Sequence, residues 1–201
     1  MADAGRVIGG AARGVRLVAP GVGTRPLGDR VKESLFGSLE ADPTEPLAGT
    51  FLDLYAGSGA AGIEALSRGA PAAVLVERDA GAVRVIADNL RRSGLTGGRV
   101  VRADALAWLD GAAAAGGPYR CVVVDPPYAD DDALPRVLDV LGALCARGGE
   151  DGLMDPDGVV VCKHHWRWEG PAAVGRLRRD RTRRFGETAL TWYRAADAEA
   201  H

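Results

Sequence analysis

Four residues at the end of a valine run, Asp125, Pro126, Pro127 and Tyr128 in CVVVDPPY, bring together a carboxylate, two residues without amide donors and an aromatic ring. Each proline removes an N–H and biases the residue before it toward extended geometry, a backbone suited to a site that uses bare carbonyls. An amine conjugated to a purine or pyrimidine is a poor nucleophile because its lone pair is delocalised. Accepting its two N–H groups at the Asp125 carboxylate and the Pro126 carbonyl would favour a pyramidal nitrogen and aim its lone pair at an electrophile. Tyr128 would stack on a base drawn out of its helix.

A second constellation lies upstream. FLDLYAGSGAAG sets Gly57, Gly59 and Gly62 as G-x-G-x-x-G, and Glu77 stands twenty residues beyond Gly57. This is the pattern of a dinucleotide site, with an acid for the ribose hydroxyls. Asp53, four residues before Gly57, disfavours a pyrophosphate and favours a ligand with an ammonium group. S-adenosylmethionine has an ammonium, a sulfonium and no phosphate. In this reading Asp53, Tyr55, Ala56, Gly57, Ser58 and Gly59 surround the cofactor, Glu77 holds its ribose, and Asp104 with Ala105 meets its adenine. Taken singly, Asp53 suits a turn, Asp104 a helix cap and Glu77 an exposed strand end. Three acids at successive strand ends fall where open sheets bind ligands.

The elements that must position these residues are short apolar strands alternating with alanine-rich helices. TFLDLY, AAVLVE, RVVRA, CVVVD and GVVVCK read as strands, with helices near Ala60–Arg68, Ala80–Ser93, Ala105–Ala113 and Asp132–Cys145. Strands apolar on both faces and separated by helices imply a mostly parallel sheet covered on both sides. RTRRFGETALTWYRA reads as two strands around Gly186 and Glu187, an antiparallel addition at the end of the chain. Ahead of the sheet, RVIGGAARGVRLVAP reads as a short hairpin. Val31, Leu35 and Leu39 mark an amphipathic helix from Asp29 to Leu39, and GAAAAGG at Gly111–Gly117 a frayed helix end. The expected division is an N-terminal extension over 1–45, a catalytic domain over 46–195 and a disordered tail over 196–201.

Composition narrows the class. The 201 residues, 47% hydrophobic, suffice for one globular core, and the three dispersed cysteines suit buried apolar positions in a reducing compartment. No metal site is expected. The opening MADAGRVIGG lacks the apolar core of an export signal, and no stretch reaches the ~20 apolar residues that span a bilayer. A cytoplasmic monomer is expected. Net charge is -2, yet eight Lys/Arg lie between Lys163 and Arg184.

With these motifs assembled, DLYAGSGAAGIEALSRGA, DPPY, the opening RVIGGAARGVRL and TRPLGDRVKESLF resemble the bacterial RsmD-type 16S rRNA guanine-N2 methyltransferases, from about Arg6 to Arg194. DPPY alone is shared with DNA adenine methyltransferases, and its NPPY relative with protein-glutamine methyltransferases; the N-terminal segments narrow the choice. The resemblance implies an α/β, Rossmann-like class I methyltransferase fold, S-adenosylmethionine as donor and a small-subunit rRNA guanine, of the guanine-966 type, as acceptor. It places Asp53 to Gly59 and Glu77 at the cofactor and Asp125 to Tyr128 at the target base. Leu27-Gly28 departs from the hydroxyl pair usual after TRP, and Lys163 stands where an acid is common; both are expected near RNA-facing surface.

Arg6, Arg13, Arg16, Arg25, Arg30 and Lys32 would neutralise phosphates of 16S rRNA, naked or within a small ribosomal subunit. RLRRDRTRRF is either a solvated face or part of that stripe. His164, His165, Trp166 and Trp168 suit loop packing or an RNA-contacting edge. A nicotinamide oxidoreductase, a methyltransferase of another planar amine (DNA adenine N6 or protein glutamine) and a non-catalytic RNA-binding assembly factor remain as alternatives; the first leaves Asp53 and DPPY without a role.

Overall fold

A computed structural model describes residues 3–21, 27–112, 117–127, 130, 132–145 and 152–195. Tyr128, Arg25, the expected tail and most of the Gly111–Gly117 tract lie outside these residues. The chain opens with an antiparallel ribbon, β1 (Asp3–Arg6) and β2 (Arg16–Val18), followed by α1 (Asp29–Glu40) and a 3-10 turn over Pro46–Ala48. Strands and helices then alternate: β3 (Thr50–Leu54), α2 (Ala60–Ser67), β4 (Ala73–Glu77), α3 (Ala80–Ser93), β5 (Gly98–Arg102), α4 (Ala105–Ala112), β6 (Tyr119–Val124), α5 (Ala133–Cys145) and β7 (Met154–His165). Three strands complete the sheet: β8 (Ala173–Val174), β9 (Leu177–Phe185) and β10 (Thr188–Ala195).

The eight strands β3–β10 form one sheet in the order β5-β4-β3-β6-β7-β10-β9-β8, parallel from β5 to β7 and antiparallel beyond. The order reverses between β3 and β6, and at such a reversal the carboxyl ends of the strands open a crevice. Successive strand residues face opposite sides of a sheet, so each of these apolar strands feeds two cores. Phe51, Cys121, Val123, Val159 and Val161 pack with α1 to α3, whereas Leu52, Leu54, Val122, Val124, Val160 and Cys162 pack with α4 and α5. Read by that alternation, Asp53, Asp125 and Lys163 share the face of α1 to α3.

The N-terminal ribbon pairs where the hairpin was expected but one step further out, with residues 7–15 as its connection. Its fixing points are buried polar side chains. Glu64 on α2, fully buried, accepts from the Ile8 and Gly9 N–H groups (2.9 and 2.8 Å) and pairs with Arg68. Ser67 accepts from Ala12 N–H and donates to the Gly9 carbonyl. Asn89 on α3 accepts from Val18 N–H and donates to the carbonyls of Val18 and Ser58, each at 2.9 Å. Ala4, Val7, Ala12 and Leu17 close over Ala60 and Ile63.

Asn89 thus ties the ribbon to the loop between β3 and α2. Asn89→Ala leaves backbone groups of Val18 and Ser58 without partners, at about 1–3 kcal/mol for each buried group. The expected outcome is a destabilisation of about 2–4 kcal/mol in urea unfolding, with the Val18 amide losing hydrogen-exchange protection first.

Candidate active site

β3 ends at Leu54, and the chain turns sharply through Tyr55, whose φ of 65° is unusual for a residue with a side chain, and Gly57, whose φ is 56°. Two carboxylates shape this turn. Asp53, 2% exposed, accepts the Gly62 N–H in the first turn of α2 (2.9 Å), and Glu77 at the end of β4 accepts the Gly57 N–H (2.9 Å) and the Asp79 N–H (2.9 Å). Gly62 is needed for closeness: a Cβ there would come within 2.7 Å of Leu75 Cδ2. Gly59 backs against Ile63, Leu75 and Ile86 behind the loop.

These residues bound a cavity of about 650 Å³ at the carboxyl edge of the sheet. Its wall takes in Tyr55, Ala56, Gly57 and Ser58 from the glycine loop, Asp53 and Glu77, and Asp125, Pro126 and Pro127 at the end of β6. Both motifs singled out in the sequence therefore open onto one space. Asp104 does not: it is exposed, and its carboxylate caps α4 by accepting from Leu106 and Ala107 N–H groups, while Ala103 and Ala105 on either side of it line the cavity. Contributions that the sequence did not point to come from Ala4, Ala19 and Pro20 of the N-terminal segment, from Leu27 and from Arg78.

The electrostatics favour a cationic guest. Burial, opposed by the Gly62 N–H and reinforced by Asp125 and Glu77, pushes the Asp53 carboxyl up to about 7. Asp125 is also raised by burial, with Lys163 pulling the other way. Tyr55 is pushed up to about 12 by burial and by Asp104 and Asp130, so its phenol stays protonated. In a dinucleotide site, glycine-loop and helix N–H groups hold the pyrophosphate. Here carboxylates of the protein already occupy the Gly57 and Gly62 N–H groups and would repel a phosphate, which disfavours the nicotinamide alternative. A ligand carrying an ammonium and a sulfonium but no phosphate suits these residues, and S-adenosylmethionine is such a ligand.

The basic residues separate into groups. Arg6, Arg13, Arg16 and Arg30 are exposed, with Arg6 paired to Asp29 (3.4 Å) and Arg16 to Asp3 (3.2 Å). Lys32 corrects the expectation of a phosphate contact. It is fully buried, donating to the Arg6 carbonyl and lying 3.5 Å from Asp29, because α1 turns it under the N-terminal ribbon. Leu27 and Lys163 also differ from the expected surface positions. Leu27 packs in the core on the cavity wall. Lys163, 9% exposed, pairs with Asp125 at 2.5 Å, because β7 continues to His165 and the alternation turns Lys163 inward.

His164 is buried with its ring edge-on to Trp168 at 4.7 Å. Its Nδ1–H donates to the His165 carbonyl, which leaves Nε2 to accept from the Thr191 hydroxyl (both 2.8 Å). Burial lowers its pKa and keeps it neutral. Trp166 is exposed beneath the Arg184 guanidinium, 3.7 Å from the ring centroid. Among the described residues no group of three His, Cys, Asp or Glu is placed to hold a metal ion, and no helix is long and apolar enough to cross a membrane.

A family model described as conserved hypothetical protein 95 matches residues 5–194. The chain belongs to this family, that of the RsmD methyltransferases. Bacillus subtilis YlbH is 37% identical over 94% of this chain and 98% of its own length. Ribosomal RNA small subunit methyltransferase D of Escherichia coli K12 is 41% identical over 61% of this chain and 60% of that protein. Among solved structures, a hypothetical protein of Thermus thermophilus superposes with a TM-score of 0.77 at 38% identity, covering 94% of this chain and 99% of that one. At 17% identity, an RNA methyltransferase of Salinibacter ruber with bound S-adenosyl-L-homocysteine shares the fold (TM-score 0.59, 88% and 97% covered). The RsmD fold is thus the class I methyltransferase fold, with its antiparallel strands at the C-terminal end of the chain.

If Asp53 receives an ammonium, ligand binding favours its ionised form. The sign follows from the raised pKa: below about pH 7 the free protein holds a proton on Asp53 that binding must expel, so affinity for S-adenosylhomocysteine should rise with pH and level off above about pH 8. Calorimetry from about pH 5.5 to about pH 8 checks this, with proton release read from buffers of different ionisation enthalpy. Asp53→Asn should bind more weakly and lose the dependence.

Proposed function

We propose that this chain methylates the exocyclic N2 amine of a guanine in 16S rRNA, of the guanine-966 type, using S-adenosylmethionine as donor. The observation that carries this reading is the opening of Asp125, Pro126 and Pro127 onto the same cavity as Asp53 and Glu77. Membership of the RsmD family and the name of the Escherichia coli relative support rRNA as the acceptor class.

When bound, the cofactor supplies an electrophilic methyl group on a sulfonium. The protein's own part is to hold the amine. Asp125 would accept one N–H and the Pro126 carbonyl the other, leaving the nitrogen lone pair directed into the cavity. Pro127's carbonyl is engaged by the Asp130 N–H at 3.1 Å, which favours Pro126 for this task. Tyr128, the next residue, would stack on the base. Residues 1–45 would serve as an RNA-facing extension, with Arg6, Arg13, Arg16, Arg25 and Arg30 meeting phosphates. Work on a small ribosomal subunit or its assembly precursor, as a cytoplasmic monomer, fits this reading.

The test is transfer of labelled methyl from S-adenosylmethionine to small-subunit particles from cells lacking the protein, followed by nucleoside analysis. N2-methylguanosine is the expected product; N6-methyladenosine, or no incorporation, would overturn the assignment. Asp125→Ala should keep cofactor affinity and lose turnover by orders of magnitude. Tyr128→Ala should weaken productive RNA binding by about 1–3 kcal/mol, whereas Tyr128→Phe keeps most activity. RNA affinity should also fall steeply with salt. Removing Arg13 and Arg30 together should flatten the log–log slope by at most about two units.

A further inference from the structure

Among the described residues, Lys163 is one of two cations, with Arg78, lining a cavity that also presents Asp53, Glu77, Asp79 and Asp125. Its ammonium lies 2.5 Å from Asp125 Oδ1, and its side chain is nearly buried. The backbone imposes the pairing. Val124 on β6 stands opposite Cys162 on the parallel strand β7, so the next residue on each, Asp125 and Lys163, emerge side by side. On its other flank β7 is held by β10, where Leu190 stands opposite Lys163.

We propose that Lys163 is a positioning residue for methyl transfer: its ammonium holds Asp125 Oδ1 and so presents Oδ2 to the acceptor amine. This rests on the reading of the site given above. A carboxylate rotates about its Cβ–Cγ bond and offers two equivalent oxygens. Fixing one with a charge-assisted hydrogen bond from a strand held on both sides orients the other. The ammonium also keeps the carboxylate an acceptor. Asp125 is faced from β3 by Asp53 and from β7 by Lys163, while Glu77 on β4 acts on Asp53. Burial lifts the Asp125 pKa and Lys163 lowers it, so loss of the lysine charge moves Asp125 toward its protonated form, in which one oxygen becomes a donor.

Lys163→Met and Lys163→Arg separate this role from simple packing. With cofactor and small-subunit particles saturating, Lys163→Met should lose about tenfold or more in kcat with little change in KM, and the acid limb of its kcat profile should move to higher pH. S-adenosylhomocysteine affinity should stay within about threefold, and Lys163→Arg should restore most of kcat. A carbon-13 NMR titration of the Asp125 carboxyl in the S-adenosylhomocysteine complex needs no acceptor, and its midpoint should rise in Lys163→Met. Parent-like kcat and pH profile in Lys163→Met, or an unmoved Asp125 midpoint, would overturn the proposal. Failure of the parent protein to methylate rRNA would instead sink the acceptor reading, and the titration would still decide whether Lys163 sets the state of Asp125. Should Lys163→Met show no cooperative melt, Lys163→Gln, which keeps a hydrogen-bond donor without the charge, is held to the same pH-limb and titration outcomes.

Discussion

The carboxylate of Asp53 lies inside the packed half of the molecule, 2% exposed, with the Gly62 N–H bonded to one of its oxygens. Burying an ionised carboxylate is costly unless hydrogen bonds or opposite charge compensate it, and otherwise the group neutralises. Much of the neighbouring architecture follows from accommodating it. α2 must begin close enough to β3 for its first-turn N–H to reach the acid, which leaves Gly62 no room for a side chain against Leu75. The loop between them must turn within a few residues, which Tyr55 and Gly57 achieve with positive φ. Glu77 then holds that loop from the next strand through the Gly57 N–H. A site built this way has given its backbone donors to its own acids and is left with negative potential facing the cavity.

The N-terminal ribbon depends on the same loop from the other side. Asn89 bonds both Val18 in the ribbon and Ser58 in the glycine loop, so ribbon, α3 and glycine loop share one buried side chain. Glu64 and Ser67 fix the ribbon's connection to α2. Hydrophobic contact alone would hold the ribbon without fixing its position, whereas buried polar groups with satisfied partners specify one arrangement. The ribbon and the segment after it can then form part of the cavity wall through Ala4, Ala19 and Pro20.

Much of this was legible in the sequence. The βα rhythm, the glycine loop and the acids at strand ends depend on local patterns, and α3 begins and ends at the expected residues because Asp79 caps it and Gly94 ends it. What the sequence hid were properties that need a neighbour. Asp104 has the spacing of a ligand, and its Oδ1 also caps α4, a task that only the placement of its carboxylate reveals. Lys32 carries the charge of a phosphate contact, but the ribbon that buries it folds back from residues near position 6. The position of Lys163 was partly readable: CVVVD and VVVCK offset their last residues equally, so two adjacent parallel strands in register would align Asp125 with Lys163. The missing fact was that β6 and β7 are neighbours.

That adjacency ties the charge balance of the site to the sheet itself. Asp53 on β3, Asp125 just past the end of β6 and Lys163 on β7 belong to three neighbouring strands of the sheet, share one face by alternation, and are joined through the registers Asp53–Val123 and Val124–Cys162. A one-residue slip of β7 would turn Lys163 to the opposite face and bring Cys162 or His164 toward Asp125. β7 is guarded against such a slip by parallel pairing to β6 and by seven antiparallel partners on β10. The antiparallel strands at the C-terminal end therefore do more than extend the sheet. They fix the register that sets the Lys163 ammonium beside the half-buried Asp125, next to the buried Asp53 on the neighbouring strand.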